Sequence, residues 1–185
     1  MNHRIEVGNH LEVEIKKLGI NGEGIGYVNK LAVFVNDALP GEMVSIQVSE
    51  VFPTRVVGEI LEIIQKSPDR LDVKYPEYAK CGAYGMQHVT YERSLSLKRD
   101  VLINALNHYV TQKINYQMIK PTVGMENPYG YRNKVSLPVR KIGGYNRFGL
   151  YIEGSNEFIP VNDTPVQHPE INAVIQTIET LMDRY

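Results

Sequence analysis

Apolar and polar residues alternate in short runs through the first third of the chain. The runs at residues 11–15, 43–48 and 56–63 have the period of two that is typical of half-buried strands, and residues 31–35 form a short apolar run. Several glycines between the first two runs predict tight turns or bulges: Gly19, Gly22, Gly24 and Gly26. Four or five short strands without a helical period predict a small, closed barrel over residues 1–66. The fold class that we expect for this barrel has five strands.

A break at Ser67-Pro68-Asp69-Arg70 and a loop separate this barrel from a predicted helix over residues 90–110. Thr90 is a residue type that often caps the start of a helix. The predicted apolar face of this helix follows the helical period. It consists of Tyr91, Leu95, Leu102, Ile103, Leu106 and Tyr109.

The remaining residues return to strand-like runs before a last helix. Strands are predicted at 118–120, 134–139, 148–152 and 158–161, and Pro138 and Pro160 place their strands at sheet edges or bulges. Glycine-rich turns join the strands. These turns are Gly143-Gly144 and Gly154-Ser155-Asn156.

The last predicted helix opens at Pro169, a residue that favours the first helical turn. Its apolar stripe is Ile171, Val174, Ile175, Ile178, Leu181 and Met182. No capping residue follows, so we expect further chain beyond Tyr185 that covers this stripe.

The predicted fold class is mainly β, with an α+β second part. The barrel takes residues 1–66, a loop takes 67–89, and a central domain takes 90–185. That central domain combines the first helix, a mostly antiparallel sheet and the last helix.

The composition indicates a soluble protein of the cytoplasm. Among 185 residues, 43% are hydrophobic and 22% are charged, which is ordinary for a globular chain. No apolar run is long enough for a membrane span, so no membrane partner is expected. The N-terminus lacks the apolar core of a secretory signal. The single cysteine allows no internal disulfide.

Charge is unevenly distributed although the net charge is only −1. Residues 7–66 carry 5 Lys/Arg and 8 Asp/Glu, whereas residues 67–150 carry 13 and 6, and residues 151–185 carry 1 and 6. A basic middle between acidic ends is expected where one segment contacts phosphates. The alternative is a solvated surface of uneven charge.

Two motifs of the chain carry a resemblance to a known family. The first is the loop at residues 75–88, YPEYAKCGAYGMQH, which resembles the iron–sulfur loop of the RNA uracil-5-methyltransferase family, C-P-x-aromatic-x-x-C-G-G-C followed by Q-H. The second joins Gly22-Glu23-Gly24-Ile25-Gly26-Tyr27 to Ala38-Leu39-Pro40-Gly41-Glu42, and resembles the TRAM domain, an OB-like RNA-binding barrel. Ser67-Pro68-x-Arg70 and Tyr131-Arg132-Asn133-Lys134 also match the family pattern, so the resemblance covers residues 10–185.

The resemblance implies an S-adenosylmethionine-dependent RNA uracil-C5-methyltransferase. In the family a cysteine attacks uracil C6, C5 takes the methyl group, and a base removes the C5 proton. The family places its cofactor-binding domain, catalytic cysteine and base after the central domain. We therefore expect this chain to be the RNA-recognition part of a longer enzyme, inactive alone and in contact with a C-terminal methyltransferase domain. No catalytic residue is assigned within it.

The four cluster-ligand positions of the family fall on Tyr75, Cys81, Tyr84 and Thr164. Only Cys81 is a thiol, and a four-iron cluster needs four soft ligands, normally thiolates. No iron–sulfur cluster and no other metal is therefore predicted. We expect tyrosine packing to hold the loop instead. For Cys81, a buried structural role is favoured over a nucleophile paired with His88.

The candidate RNA contacts combine cations for phosphates with aromatic rings for base stacking. In the barrel they are Tyr27, Lys16, Lys17 and Arg55, and Phe34 is expected to face the core instead. In the basic middle they are Lys98, Arg99, Arg132, Lys134, Arg140, Lys141 and Arg147. If Arg132 and Lys134 share one strand, a period of two points their charges the same way.

Three functional hypotheses remain open at this point. The first is the RNA-recognition part of a uracil methyltransferase, with ribosomal RNA favoured over transfer RNA by analogy. The second is a free-standing RNA-binding adaptor without enzymatic activity. The third is a protein-interaction module whose barrel binds a protein strand; salt-sensitive RNA binding would distinguish it from the other two.

Overall fold

The computed structural model describes residues 4–82, 85–161 and 163–185. The chain divides into two compact units. The first consists of Met1–Val73 and Met86–Val123, and the second of Lys74–Gly85 and Gly124–Tyr185. The helix predicted at 90–110 thus groups with the barrel, while the three-part division at residues 66 and 89 stays a prediction.

A closed five-stranded barrel forms the N-terminal part of the first unit, as the alternating pattern predicts. Its strands are β1 (His10–Leu18), β2 (Gly24–Val28), β3 (Leu31–Val35), β4 (Met43–Val51) and β5 (Arg55–Gln65). The order around the barrel is β1-β2-β3-β5-β4, and only β3 and β5 run parallel. Branched side chains fill the interior, including Val13, Ile15, Val33, Val44, Ile46 and Val56.

Gly24 and Gly26 lie within strand β2 and not in turns. The expectation of turns or bulges holds in part, because the pairing of β2 with β1 shifts register beside Gly26. A Cβ on Gly26 would collide with the Val13 side chain and lie 2.5 Å from the carbonyl oxygen of Glu14. A Cβ on Gly24 would lie 2.8 Å from the carbonyl oxygen of Ala38. The inner positions of β2 therefore carry glycine because neighbouring backbone occupies the space. Gly22, with a φ of +92°, does serve a turn.

A buried ion pair between Glu42 and Arg70 ties the barrel to the segment that follows it. Glu42 is fully buried, and its carboxylate accepts hydrogen bonds from Arg70 Nε at 2.5 Å and Arg70 Nη2 at 2.7 Å. The backbone amides of Leu39, at 2.8 Å, and Ser67, at 3.1 Å, donate to the same carboxylate. Burial alone would raise the pKa of Glu42, but these hydrogen bonds outweigh it and lower that pKa.

The described residues form three α-helices: α1 (Pro76–Ala79), α2 (Tyr91–Tyr109) and α3 (Pro169–Arg184). Thr90 is the N-cap of α2 and α3 begins at Pro169, as predicted. None of the helices that these residues form has the length and apolarity to cross a membrane.

Helix α2 buries a face that matches the predicted one only in part. Ile103 is buried as expected, whereas Leu102 and Tyr109 of the predicted face are exposed. Leu97, outside the predicted face, is buried with Leu18, Leu39 and Val89. Ser94 is also buried, and its Oγ donates to the Tyr91 carbonyl oxygen at 2.6 Å.

A three-stranded antiparallel sheet forms the centre of the second unit. Its strands are β6 (Val139–Ile142), β7 (Tyr145–Tyr151) and β8 (Phe158–Pro160), in the order β6-β7-β8. Gly143 and Gly144 form the turn between β6 and β7, with φ values of +58° and +92°. This pair of positive φ values suits a tight hairpin turn. Pro160 lies in an edge strand, as expected.

Two predicted strands are wrong. Tyr116–Met118 forms a 3-10 helix where a strand was expected at 118–120, because the Asn115 side chain accepts hydrogen bonds from the amides of Gln117 and Met118. Residues 133–138, all described, lie outside any strand, and the strand begins only at Val139.

Acidic side chains of α3 bind backbone amides of β7. Glu179 is buried and accepts from the Phe148 amide at 2.7 Å, and Asp183 accepts from the Asn146 amide at 2.6 Å. Ile175 is buried, but Val174 and Ile178, of the predicted stripe, remain partly exposed. Two carboxylates therefore hold the helix on the sheet where apolar packing is incomplete.

Replacing Glu42 with Gln should destabilise the first unit by about 3–5 kcal/mol, because Arg70 then stays buried without its charge partner. Urea unfolding followed by circular dichroism measures this. The matched control is Glu14→Gln, which breaks an exposed ion pair with Lys16 and should cost roughly 0.5 kcal/mol or less.

The same variant carries a pH signature. The folded pKa of Glu42 lies below its unfolded value, so the ion pair's stability is present above the unfolded pKa and is lost as pH falls through the folded pKa. The loss of stability between neutral and acidic pH should thus be smaller in Glu42→Gln. An unchanged acid profile would contradict this assignment.

Replacing Gly26 with Ala should destabilise the barrel by about 1–3 kcal/mol, since the added methyl group meets the β1 backbone and must displace it. Thermal unfolding provides the measurement. Gly85→Ala is the control, because nothing lies within 4 Å of a Cβ at that position and its φ is not positive. Equal melting temperatures for both variants would refute the steric role.

Candidate nucleic-acid interface

The outer face of strands β2, β3 and β5 brings together aromatic and basic side chains. Tyr27 pairs with Ala32, and Ala32 with Arg55, across the three strands. Side chains of directly paired residues point to the same face of a sheet. The next row holds Lys17, Ile25, Phe34 and Val57 by the same pairing. We call this set the barrel face: Lys17, Ile25, Tyr27, Phe34, Arg55 and Val57.

Within the barrel face, Tyr27 and Arg55 are the exposed members. The Tyr27 side chain is 52% exposed, and the Arg55 guanidinium lies 4.4 Å from the centre of the Phe52 ring. Phe34 is half-buried on this outer face, because its neighbours Val33 and Val35 take the inward positions of β3. The expectation that Phe34 faces the core is therefore wrong.

Lys16 lies where the pairing register of β1 shifts, between Ile15 and Lys17. Its ammonium group contacts the Glu14 carboxylate, so its charge is partly neutralised. Of the predicted barrel cations, the pairing places Lys17 and Arg55 on the barrel face.

The two candidates on helix α2 have different surroundings. Lys98 is exposed. The Arg99 guanidinium lies 3.8 Å from the centre of the Tyr116 ring and donates hydrogen bonds to the carbonyl oxygens of Tyr116 and Ile119. Arg99 thus holds the segment at residues 116–119 against helix α2. Its role in RNA contact stays a prediction.

Arg132 and Lys134 are exposed but do not share a strand face. The backbone of Arg132 bridges to the segment before α3, with its amide bonded to the Val166 carbonyl oxygen and its carbonyl oxygen to the His168 amide. Lys134 lies in the irregular stretch 133–138. The argument from a period of two therefore fails at these positions.

The β6–β7 hairpin carries three candidates, of which two lie on one face. Arg140 pairs directly with Arg147, whereas Lys141 takes the opposite face. Arg147 Nη1 forms an ion pair with Asp183 at 2.8 Å, and this hydrogen bond raises the pKa of Arg147 and lowers that of Asp183. Arg140 Nε donates to the Tyr151 hydroxyl at 3.0 Å.

The sequence analysis missed the aromatic residues on the same face as these arginines. Tyr145 and Tyr151 share the face with Arg147 because they lie at even spacings along β7, and Phe158 pairs with Tyr151. The period of two in Tyr145-x-Arg147-x-Gly149-x-Tyr151 was the available signal. We call this surface the Arg–Tyr face: Arg140, Tyr145, Arg147, Tyr151 and Phe158.

The cysteine loop is held by aromatic packing where the structure describes it. Tyr75 stacks on Tyr78 with ring centres 5.5 Å apart, and the buried Tyr78 packs with Val161. Cys81 is half-buried and not buried as expected, and this partial burial raises the pKa of its thiol, which lowers its reactivity at neutral pH. Thr164 is buried, and its Oγ1 has no hydrogen-bond partner among the described residues.

The donor set at the four ligand positions does not fit an iron–sulfur cluster. Thr164 offers a hydroxyl, Tyr75 a phenol and Cys81 the only thiol, and Tyr84 lies outside the described residues. In the part of the chain that the structure describes, no three His, Cys, Asp or Glu residues are placed to hold a metal ion. The prediction that no cluster binds remains a prediction.

The Gly22-x-Gly24-x-Gly26 segment does not form a nucleotide-binding site of the kind that could hold S-adenosylmethionine. The Gly22-x-Gly24-x-Gly26 segment runs into strand β2, and strand β3 follows it, so no helix N-terminus faces a phosphate or a cofactor there. No step of methyl transfer is therefore assigned to the described residues.

Comparison with known proteins identifies the barrel and its relatives. Residues 4–61 match the TRAM domain. An RNA methyltransferase of Enterococcus faecalis, itself uncharacterised, is 35% identical over 98% of this chain, and one of Halalkalibacterium halodurans is equally similar. Residues 4–61 are thus similar to a TRAM domain, and nearly the whole chain is similar to proteins named RNA methyltransferases. It spans only 40% and 39% of the length of these two relatives.

A solved structure shares the fold of nearly the whole chain. The tRNA (uracil-54, C5)-methyltransferase of Pyrococcus abyssi, in complex with S-adenosyl-L-homocysteine, matches 94% of this chain and 37% of its own, with a TM-score of 0.58 and 20% identity. This likeness shows that barrel, helix and sheet occur together in another protein.

Proposed function

We propose that this chain is the RNA-recognition portion of an S-adenosylmethionine-dependent RNA uracil-C5-methyltransferase. The observation that carries the proposal is similarity over 94–98% of the chain to proteins named RNA methyltransferases, of which the chain spans 40% or less. The resemblance of the cysteine loop and the barrel motif to the uracil-5 family supplies the reaction type.

The barrel face is the first surface that supports RNA recognition. Single-stranded nucleic acid binds to barrels through aromatic rings that stack on bases and cations that contact phosphates. Tyr27 offers an exposed ring, while Arg55, held over Phe52, offers a guanidinium within the same cross-strand row. This arrangement combines both kinds of contact on one rigid sheet.

The chemical steps are assigned to a part of the protein other than these 185 residues. A nucleophilic cysteine needs a lowered pKa, whereas burial raises the pKa of Cys81, the only cysteine of the chain. A methyltransferase domain that contacts this portion would supply the cysteine, the base and the cofactor site. The partly exposed stripe of α3, at Val174 and Ile178, is the surface that we assign to that contact.

The proposed substrate is ribosomal RNA of the large subunit. The TRAM barrel and a loop arranged as in the cluster-bearing members favour this class by analogy. The Pyrococcus relative is named for transfer RNA, so the shared fold is compatible with either class.

Replacing Arg55 with Ala should weaken binding of a fluorescein-labelled single-stranded RNA about three- to tenfold at low salt. It should also reduce the slope of log affinity against log salt by about 1, because one phosphate contact is lost. Fluorescence anisotropy over a salt series measures both. Lys16→Ala is the matched control and should change little, since Glu14 already neutralises Lys16. Equal effects of the two variants would remove Arg55 from the interface.

Deletion of the gene should abolish 5-methyluridine at one or two positions of the large-subunit ribosomal RNA. Mass spectrometry of RNA fragments from the deletion strain and its parent locates the missing methyl groups. Restoration by a plasmid copy controls for secondary effects. Loss confined to transfer RNA would correct the substrate class, and intact 5-methyluridine in both classes would refute the proposed function.

A further inference from the structure

We propose that the Arg–Tyr face of the second unit is a stacking surface for unpaired bases of single-stranded RNA. This inference rests on the proposed function and deepens it, because it assigns a second RNA surface outside the TRAM barrel. The structure brings three aromatic rings and two guanidinium groups onto one face of the β6-β7-β8 sheet.

Every second residue of β7 points to the Arg–Tyr face, so the planar side chains of Tyr145, Arg147 and Tyr151 follow one another on one side of the sheet. Side chains two residues apart on a strand are roughly 6.6 Å apart, so Tyr145, Arg147 and Tyr151 span about 20 Å. Phe158 covers the gap between Arg147 and Tyr151, because a Cβ on Gly149 would collide with its ring. The face thus offers a continuous row of flat groups that spans several nucleotides.

Each arginine is held against a ring before any ligand binds. The Arg147 guanidinium lies 5.1 Å from the Tyr145 ring centre, and that of Arg140 lies 5.5 Å from the Tyr151 ring centre. Tyr151 and Phe158 contact edge to face, with centres 5.6 Å apart. Ordered side chains lose less conformational entropy on binding, which favours affinity.

The two arginines have different charge environments. Asp183 neutralises Arg147, which therefore contributes a planar surface more than a net charge. Arg140 is exposed, and its hydrogen bond is to a neutral phenol, so it keeps a full charge for a phosphate. With a single arginine that keeps its charge among several planar groups, this face is suited to binding RNA by base stacking more than by phosphate contacts.

Exposure and the opposite face show which side of the sheet is available. The Tyr145 side chain is 56% exposed. On the other face, Phe148 borders an apolar groove beside α3, and Leu150 and Ile159 pack against the buried Tyr78 and Val161. The sheet thus uses one face for its own packing, while on the Arg–Tyr face Tyr145 is exposed and Tyr151 and Phe158 are half-buried. A base has a π-face that such rings stack upon, whatever its identity.

The first test measures RNA affinity of the whole chain by fluorescence anisotropy with a short, labelled oligoadenylate. Tyr145→Ala should weaken binding roughly 5- to 100-fold, as expected for one lost base stack. Tyr145→Phe keeps the ring and should bind within about twofold of the unaltered chain. The same oligoadenylate annealed to oligouridylate should bind more weakly, because its bases are already paired.

The second test uses the absence of tryptophan from the chain. Tyr145→Trp introduces a single indole whose fluorescence should be quenched when a base stacks on it. Tyr109→Trp, at a residue of α2 that is 80% exposed, is the matched control and should show little quenching. Both positions are on the surface, so neither change is expected to disturb folding.

The outcomes separate this inference from the proposed function. If the chain binds the oligoadenylate but Tyr145→Ala binds equally well and Tyr145→Trp is not quenched, the Arg–Tyr face is excluded while RNA recognition stands. If duplex binds as tightly as single strand, base stacking on this face is refuted. If the unaltered chain binds no RNA at low salt, both proposals fail.

Discussion

The buried carboxylate of Glu42 is the constraint on which the first unit depends. It receives hydrogen bonds from two segments: the turn at Leu39, and the stretch after the barrel, where the Ser67 amide and the Arg70 side chain both donate. A buried charge is tolerated only when all its partners are present. Arg70 also donates to the Asp37 carbonyl oxygen, and its backbone bridges to Val89 just before α2. Barrel closure and the docking of the helix are therefore linked through one ion pair.

The same interior determines which side of the barrel is left for binding. Branched residues fill the centre, and Gly24 and Gly26 are needed where backbone approaches too closely for a Cβ. Protein cores pack at about the density of organic crystals, so an interior filled in this way is not expected to hold a ligand of nucleotide size. The outward positions of β2, β3 and β5 carry the exposed ring of Tyr27 and the guanidinium of Arg55. Because the interior is filled, the candidate RNA-binding side chains of the barrel lie on its outer surface.

The fold was predictable where local pattern and tertiary packing agree. The alternation in the barrel, the Gly143-Gly144 turn and the helix start at Pro169 all correspond to the structure. Prediction from the sequence failed where contacts between residues far apart in the chain determine which side chain is buried. Leu97 is buried because Leu18 and Leu39 lie beside it, and Phe34 faces outward because Val33 and Val35 fill the core. In the sequence, the aromatic residues of the Arg–Tyr face on β7 are visible only as a period of two. Only the register of the sheet shows that Arg140 and Phe158 lie beside them.

Charge alone is a poor guide to how this chain would hold RNA. Several basic residues of the candidate set have internal partners: Lys16 contacts Glu14, Arg99 binds backbone carbonyl oxygens, and Arg147 pairs with Asp183. Each such partner reduces the counterions that a phosphate contact would release, and hence the salt dependence. Both candidate surfaces instead combine an exposed tyrosine with an arginine held over a ring. A chain with a net charge of −1 would then select unpaired RNA through stacking, because stacking needs accessible bases and not a strong positive field.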